Sequence, residues 1–350
     1  MTNSRAHHGA PLITEQTLLE GCLLARPDTL SYPIPGRLNG ILVVSQISVA
    51  FAVLAAASHT TSMLAVGLLA VVFAFVMQLG FCLTHEAVHG KLHEDRNINL
   101  GLGMLLFSLF PGSYHFFQVA HLIHHRRNRS DAELEDYVLP TELAWAKQLM
   151  YYLLICGLFW LLIPLSSIAI ALVPRNSIGI PPPDENAGAF RRFAQFLNEV
   201  RPAWVRRDLL LAGCVWGITV PLLKLKLVSL VVCYAVFAFS WASQQYVYHV
   251  RTARHAVLGA LDLRLWHPLE VLYLHFNYHL THHLAVWVPW IYLPRVAAEQ
   301  PTSGYFVTYL KLWRPPQPVE QAWPERFQTS GPLPSRQNSG SVNAGVDDQP

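Results

Sequence analysis

Charged residues are scarce in this 350-residue chain, at 13%, about half of the roughly 25% usual in soluble domains. Hydrophobic residues make up 52% and the mean hydropathy is +0.29. The length alone would allow two soluble domains; this composition excludes them and points to a membrane protein. A net charge of only +3, with no basic tract, gives nucleic acid nothing to bind. The five cysteines (Cys22, Cys82, Cys156, Cys214 and Cys233) are scattered, mostly in apolar runs, and form no CxxC pair. No disulfide framework, zinc ribbon or rubredoxin-like knuckle is therefore implied. A cleavable signal peptide is also lacking, since residues 1–37 are polar and broken by Pro27, Pro33 and Pro35.

What the chain has instead is histidine, in three short runs. The first, His85-Glu86-Ala87-Val88-His89, stands where a hydrophobic stretch ends. The theme returns as His121-Leu122-Ile123-His124-His125 and as His279-Leu280-Thr281-His282-His283. Around a helix, positions i and i+4 differ by roughly 40° and positions i and i+3 by about 60° the other way. Each run therefore presents two or three imidazoles in one direction, as a metal centre requires. Neutral imidazole suits iron, copper, nickel and zinc. Eight imidazoles exceed what one tetrahedral zinc needs, so a dinuclear site is the natural reading. A lone histidine at a membrane boundary is usually an interfacial residue; three clusters on one side are not, because ionisable groups there are costly and tend to be functional.

The apolar runs predict an all-α membrane bundle. Leu38–Ala57 and Met63–Leu83 are each long enough to cross about 30 Å of hydrocarbon and form a hairpin around His59-Thr60-Thr61-Ser62. Leu209–Leu223 and Leu227–Trp241 form a second hairpin, turning at Lys224-Leu225-Lys226. Residues 98–112 are too short to span and end at Pro111-Gly112, which reads as an interfacial or re-entrant segment. Leu149–Val173 is long enough to cross, but charge argues against it. With only the two hairpins crossing, 2 of the 25 Lys and Arg residues lie outside, and the positive-inside rule makes the other side cytoplasmic. A full crossing by Leu149–Val173 would also expel the arginine-rich 175–207 stretch and strand the third run. Four spans are thus expected, with both termini and all histidine runs cytoplasmic. The boundaries are an N-terminal cytoplasmic segment over 1–37, the membrane domain over 38–300, and a Pro-, Ser-, Gln-, Asn- and Gly-rich tail over 315–350 that reads as disordered.

Other histidines sort by position. His7, His8 and His59 are expected in solvent, His115 packed, and His255 and His267 in loops. His93 shares the phase of His85 and His89, but Gly90 ends the helix first, so it is read as surface. His249 closes the last span on the side of the three runs, with Gln245 one turn before it, and joins the candidate ligands. His275 is a second candidate by phase. Glu86, Asp131, Glu133, Asp136, Asn277 and Gln245 are the nearby groups that can accept the second imidazole N–H.

Taken together, residues 38–295 resemble the membrane fatty acid desaturase and hydroxylase superfamily, with its HxxxH, HxxHH, HxxHH pattern. Asn97 and Asn99, Asn128 and Asp131, and the Asn277-Tyr278 lead into the third run are part of the match. Val288-Pro289-Trp290 and Leu293-Pro294 look like bacterial members, while Ala285 and Val286 depart from the aromatic-proline pair of many relatives. The resemblance implies a non-haem diiron centre. Its two irons would be held by His85, His89, His121, His124, His125, His249, His279, His282 and His283, with Gln245 and Asn277 in support. It also implies O2 as co-substrate, a lipid or acyl substrate, and fatty acyl desaturation in a bacterial inner membrane. Electrons must come from a separate protein, such as a ferredoxin, because the chain has no cluster-binding cysteines or haem motif. Hydroxylation or ketolation of a carotenoid or alkane is the alternative within the same chemistry. A histidine-rich metal transporter is the alternative from another class.

Overall fold

The computed structural model describes residues 32–131, 133–173 and 200–319. Most of the 1–37 segment and the 315–350 tail, with Pro181-Pro182-Pro183, Arg191 and Arg192, lie outside them. Almost everything described is helical. Helices α1 (Gly36–His59) and α2 (Met63–Val88) form the first hairpin, and Ser62 caps α2 by accepting from the Ala65 N–H. The short α3 (Arg96–Ser108), capped by Asp95, is about 20 Å long and leads through Pro111-Gly112 into α4 (Tyr114–Arg127), capped by Ser113. Next come α5 (Ala144–Leu153), a π-helical turn (Leu154–Leu158) and α6 (Phe159–Leu172). The second hairpin is α7 (Pro202–Leu222) and α8 (Leu227–Val247). Short helices α9 (His267–Leu272), α10 (His279–Leu284) and α11 (Leu293–Val296), then α12 (Tyr305–Leu312), complete a cap over one end. A two-residue parallel pairing of β1 (Tyr137–Val138) with β2 (Gln317–Pro318) ties the cap together.

Of the four membrane-length helices described, α2 is the most buried. Phe73, Met77 and Phe81 are all at most 2% exposed, and Phe81 packs edge-on against Trp241 of α8 at 5.5 Å. The two hairpin turns meet at the far end of the bundle. There Ser58 Oγ accepts from the Lys226 N–H, Ser229 donates to the Ala57 carbonyl, and His59 contacts the Leu223 carbonyl. Hydrophobic side chains such as Ile41, Val44, Leu64 and Leu68 cover the outside, as a bilayer requires.

Among the described residues, four helices are long and apolar enough to cross a membrane: α1, α2, α8 and the composite Ala144–Leu172. This differs from the expected set, because Arg206, Arg207 and Asp208 in the first turns of α7 make that helix less apolar than the sequence reading of Leu209–Leu223 implied. Even so, 21 residues carry α7 about 31 Å, from the histidine end to Leu223 at the far end.

The composite Ala144–Leu172 does not run straight. Near the histidine end Tyr151 donates to the Leu312 carbonyl at 2.5 Å and lies beside Tyr246. Deeper in, Gly157 sits against Ala238, at φ +125°, a conformation closed to side-chain-bearing residues. Trp160 then packs on Tyr234 and Phe237. From there the chain turns back: Ser167 Oγ accepts from the Ser113 N–H, and the Ala171 and Val173 carbonyls accept from Arg206 at the start of α7. The segment dips into the bundle and returns to the end it left.

This geometry predicts a labelling pattern. In a variant stripped of native cysteines, Thr141→Cys and Ala203→Cys should react with an impermeant thiol reagent from the same face of sealed vesicles, and Thr61→Cys from the other. Labelling of positions 141 and 203 from opposite faces would make Ala144–Leu172 a crossing.

Candidate metal centre

Helix α2 ends in a Schellman motif. The Gly90 N–H donates to the Ala87 carbonyl and the Lys91 N–H to the Glu86 carbonyl, with Gly90 at φ +69°. His89 is the last residue before this turn, so His85 and His89 sit on the final turn and face inward. Asn99 secures that end by donating to the Ala87 carbonyl while accepting from the Leu92 and His93 N–H groups. Asn39 reaches the Lys91 and Leu92 carbonyls from α1, and Glu86 accepts from the Trp290 N–H.

The second and third runs are held in the same manner by groups distant in sequence. Asp208, 3% exposed, accepts from Ser113 Oγ at 2.6 Å and from the His115 backbone N–H at 2.9 Å. It also contacts His115 Nδ1 at 2.8 Å. This fixes the start of α4, which carries His121, His124 and His125. Asp262 accepts from the N–H and the hydroxyl of Thr281, at 3.0 and 2.5 Å, and so fixes α10.

The imidazoles converge in two groups. His85, His89, His121, His125 and His282 form one, and His124, His249, His279 and His283 the other; within each, the ligand atoms lie within 4.8 Å of one another. The second run is therefore divided, with its i and i+4 members in one group and its i+3 member in the other. Facing Nε2 atoms are 3.0 Å apart for His89–His121 and His121–His125, and 3.1 Å for His125–His282 and His249–His279. Ligands about 2.1 Å from one ion and at right angles to each other lie about 3.0 Å apart, so these spacings match edges of a coordination shell.

Further observations fit a metal. His85 Nε2 is buried without a hydrogen-bond partner. His124 Nδ1 faces Glu133 at 2.7 Å and His249 Nδ1 faces the Gly259 carbonyl at 2.7 Å. Those partners fix each ring with Nδ1 as donor and leave Nε2 as a lone-pair donor. Burial, and after it the repulsion of neighbouring imidazoles, holds His121, His125, His279, His282 and His283 well below the ordinary histidine range. They are neutral, as ligation requires.

The remaining candidates fall elsewhere. His93 accepts from the Asp95 N–H beyond the Gly90 turn. His275, at φ +53°, stacks on Trp290 instead of entering either group. His255 Nδ1 accepts from the Val257 and Leu258 N–H groups, and exposed His267 meets Glu270. Gln245 Nε2 is buried without a partner, and the Asn277 amide donates to the Leu263 carbonyl and Glu270; neither is hydrogen-bonded to an imidazole. Of the carboxylates the sequence offered, Glu133 takes an imidazole N–H, whereas Asp136 accepts from Arg129 and from the Arg251 N–H. Asp208 and Asp262 were not singled out by sequence reasoning. Asp208 did carry a signal, an isolated carboxylate at the head of an apolar run.

Beneath the imidazoles lies a cavity of about 350 Å³, within the range of ligand pockets. Its walls come from α4, α5, α6 and α8. His121, His124, His249 and His279 border it together with Phe81, Phe117, Trp241 and Phe276.

Comparison with curated proteins returns no match. Comparison with protein families matches residues 61–312 to the family described as fatty acid desaturase. That match takes in every imidazole of both groups and well over half of the chain, which belongs to the fatty acid desaturase family.

Proposed function

We propose that the nine imidazoles hold two iron ions and that the protein uses O2 to oxidise an unactivated C–H bond of a lipid acyl chain, by desaturation. The observation that carries this reading is the division into five and four imidazoles, beside a cavity lined mostly by aromatic and aliphatic side chains. Neutral imidazole is a fitting donor set for iron. When bound, iron supplies the activation of O2 and the cleavage of the C–H bond.

The protein's own part is positional. Phe81, Phe117, Trp241 and Phe276 give the cavity an apolar wall, and a methylene placed between them lies beside His121, His124, His249 and His279. Glu133 and the Gly259 carbonyl hold the Nδ1 protons of His124 and His249 and so keep both Nε2 atoms pointed inward. Electrons come from a separate carrier of ferredoxin type, since the described cysteines Cys82, Cys156, Cys214 and Cys233 are all free and far apart in sequence. The positive-inside rule puts the histidine end, with Arg126, Arg127 and the α7 arginines, in the cytoplasm. Metal transport would need ligands along a path through the membrane, and here they gather at one end.

Expression in a bacterial host with lipid and pigment mass spectrometry tests the reaction. Loss of a hydrogen pair from an acyl chain is the expected result; gain of one oxygen identifies hydroxylation, and an unchanged lipid and pigment profile overturns oxidation altogether. His89→Ala, His125→Ala and His283→Ala should each abolish product while the protein still inserts. Half of the wild-type turnover in any one of them would contradict a shared site. The sharpest contrast pairs His249→Ala with His93→Ala: the first should lose iron and activity, the second should keep both. Purified wild-type protein should carry close to two irons per chain, and a labile zinc without iron would sink the assignment.

A further inference from the structure

The cavity has two ends of different character. At one end it is lined by Glu133, Glu135 and Asp136, and the Glu133 and Glu135 side chains are 24% and 22% exposed to water. Apart from imidazoles, the one basic side chain on its wall among the described residues is Arg129, which is committed to Asp136 at 2.5 Å and to the Thr252 carbonyl at 3.2 Å. At the other end the wall is made by Leu162 and Ser166 of α6, one helical turn apart. Leu162 is 41% exposed, and its neighbours Leu161, Leu165 and Ile168 are also exposed. A side chain on both the lipid-facing surface and the cavity wall marks an opening through the flank of the bundle. Such an opening admits a chain that never leaves the bilayer. A carrier bearing several phosphates would instead face carboxylates whose cationic neighbours are already paired, Arg129 with Asp136 and Lys147 with Glu135 and Glu142, which leaves phosphate no partner on this wall.

We propose that the acyl chain oxidised here belongs to a membrane lipid that enters sideways past Leu162 and Ser166, and that thioesters on phosphate-bearing soluble carriers are excluded. The proposal rests on the cavity being the site of chain oxidation. Full-length protein in phosphatidylcholine nanodiscs is irradiated with a phosphatidylcholine carrying a diazirine on one acyl chain. The same is done with a diazirine-bearing acyl-coenzyme A, and the labelled peptides are located by mass spectrometry. The lipid probe should label the buried cavity residues Phe116, Phe117, Ile123 and Leu154, which lipid outside the bundle does not reach, and the thioester should not. Leu162→Trp and Ser166→Trp, which plug the opening, should cut this labelling about tenfold, equivalent to roughly 1.4 kcal/mol; Leu162→Ala should leave it at least as strong. Iron content and the thermal transition, measured alongside, should stay at wild-type values and so show that the variants fold. Thioester labelling at the level of the lipid, undiminished labelling in either folded Trp variant, or no cavity labelling by the lipid probe overturns the proposal. Labelling needs neither iron nor turnover. A labelled cavity in a protein that oxidises no lipid would count against the proposed reaction and leave the route standing.

Discussion

Neutral imidazoles whose nitrogens face one another at about 3 Å are the constraint on which the rest of this structure depends. Each ring has one donor and one lone pair, and lone pairs gathered on a common point repel unless a cation lies between them. Free in water, the same side chains would scatter. The fold must therefore hold the rings and the helices that carry them in place, and it does so with polar groups distant in sequence. Glu133 and the Gly259 carbonyl take ring protons, while Asn99, Asp208 and Asp262 take or give backbone protons at the ends of the helices carrying the runs. Hydrogen bonds to charged groups are worth about 1.5–3 kcal/mol each, enough to hold a short helix such as α10, which could not stand alone.

The same need explains the shape of the membrane part. Two hairpins bring three histidine-bearing segments to one end only if the chain crosses an even number of times between them. The bend at Gly157 lets Ala144–Leu172, long and apolar enough to cross, come back to the end it left. It thereby becomes a wall of the cavity. Arg206 stabilises the return by capping the otherwise unpaired carbonyls of Ala171 and Val173. Asp208, two residues on, grips the start of α4. One turn of α7 thus fixes both the re-entrant segment and the helix of the second histidine run.

Much of this was legible in the sequence, because it depends on local period. Spacings of three and four residues place imidazoles on one helical face, apolar runs of about twenty residues mark membrane-length helices, and a glycine just after His89 marks a helix end. For Leu149–Val173 the distribution of lysine and arginine argued for a segment that turns back and its length for one that crosses, and the length of Ala144–Leu172 still suffices to cross. The charged start of α7 was legible too, but the sequence reading began that span at Leu209 and so passed over Asp208.

Which imidazoles share a group could not be read, because neighbours in a run part company: His124 and His125 are adjacent in the chain yet belong to different groups. That division is set by how α2, α4, α8 and α10 pack, and it involves separations of more than a hundred residues that no local period encodes. The choice of Glu133 over Glu86 or Asp136 as an imidazole partner, and the lack of a hydrogen bond from Gln245 or Asn277 to any described imidazole, follow from the same packing. Composition and spacing determined that this protein is a helical membrane bundle with clustered histidines at one end. Tertiary structure alone decided how those histidines divide, what braces them and where the cavity opens, because each of these is a relation between surfaces that meet only once the chain has folded.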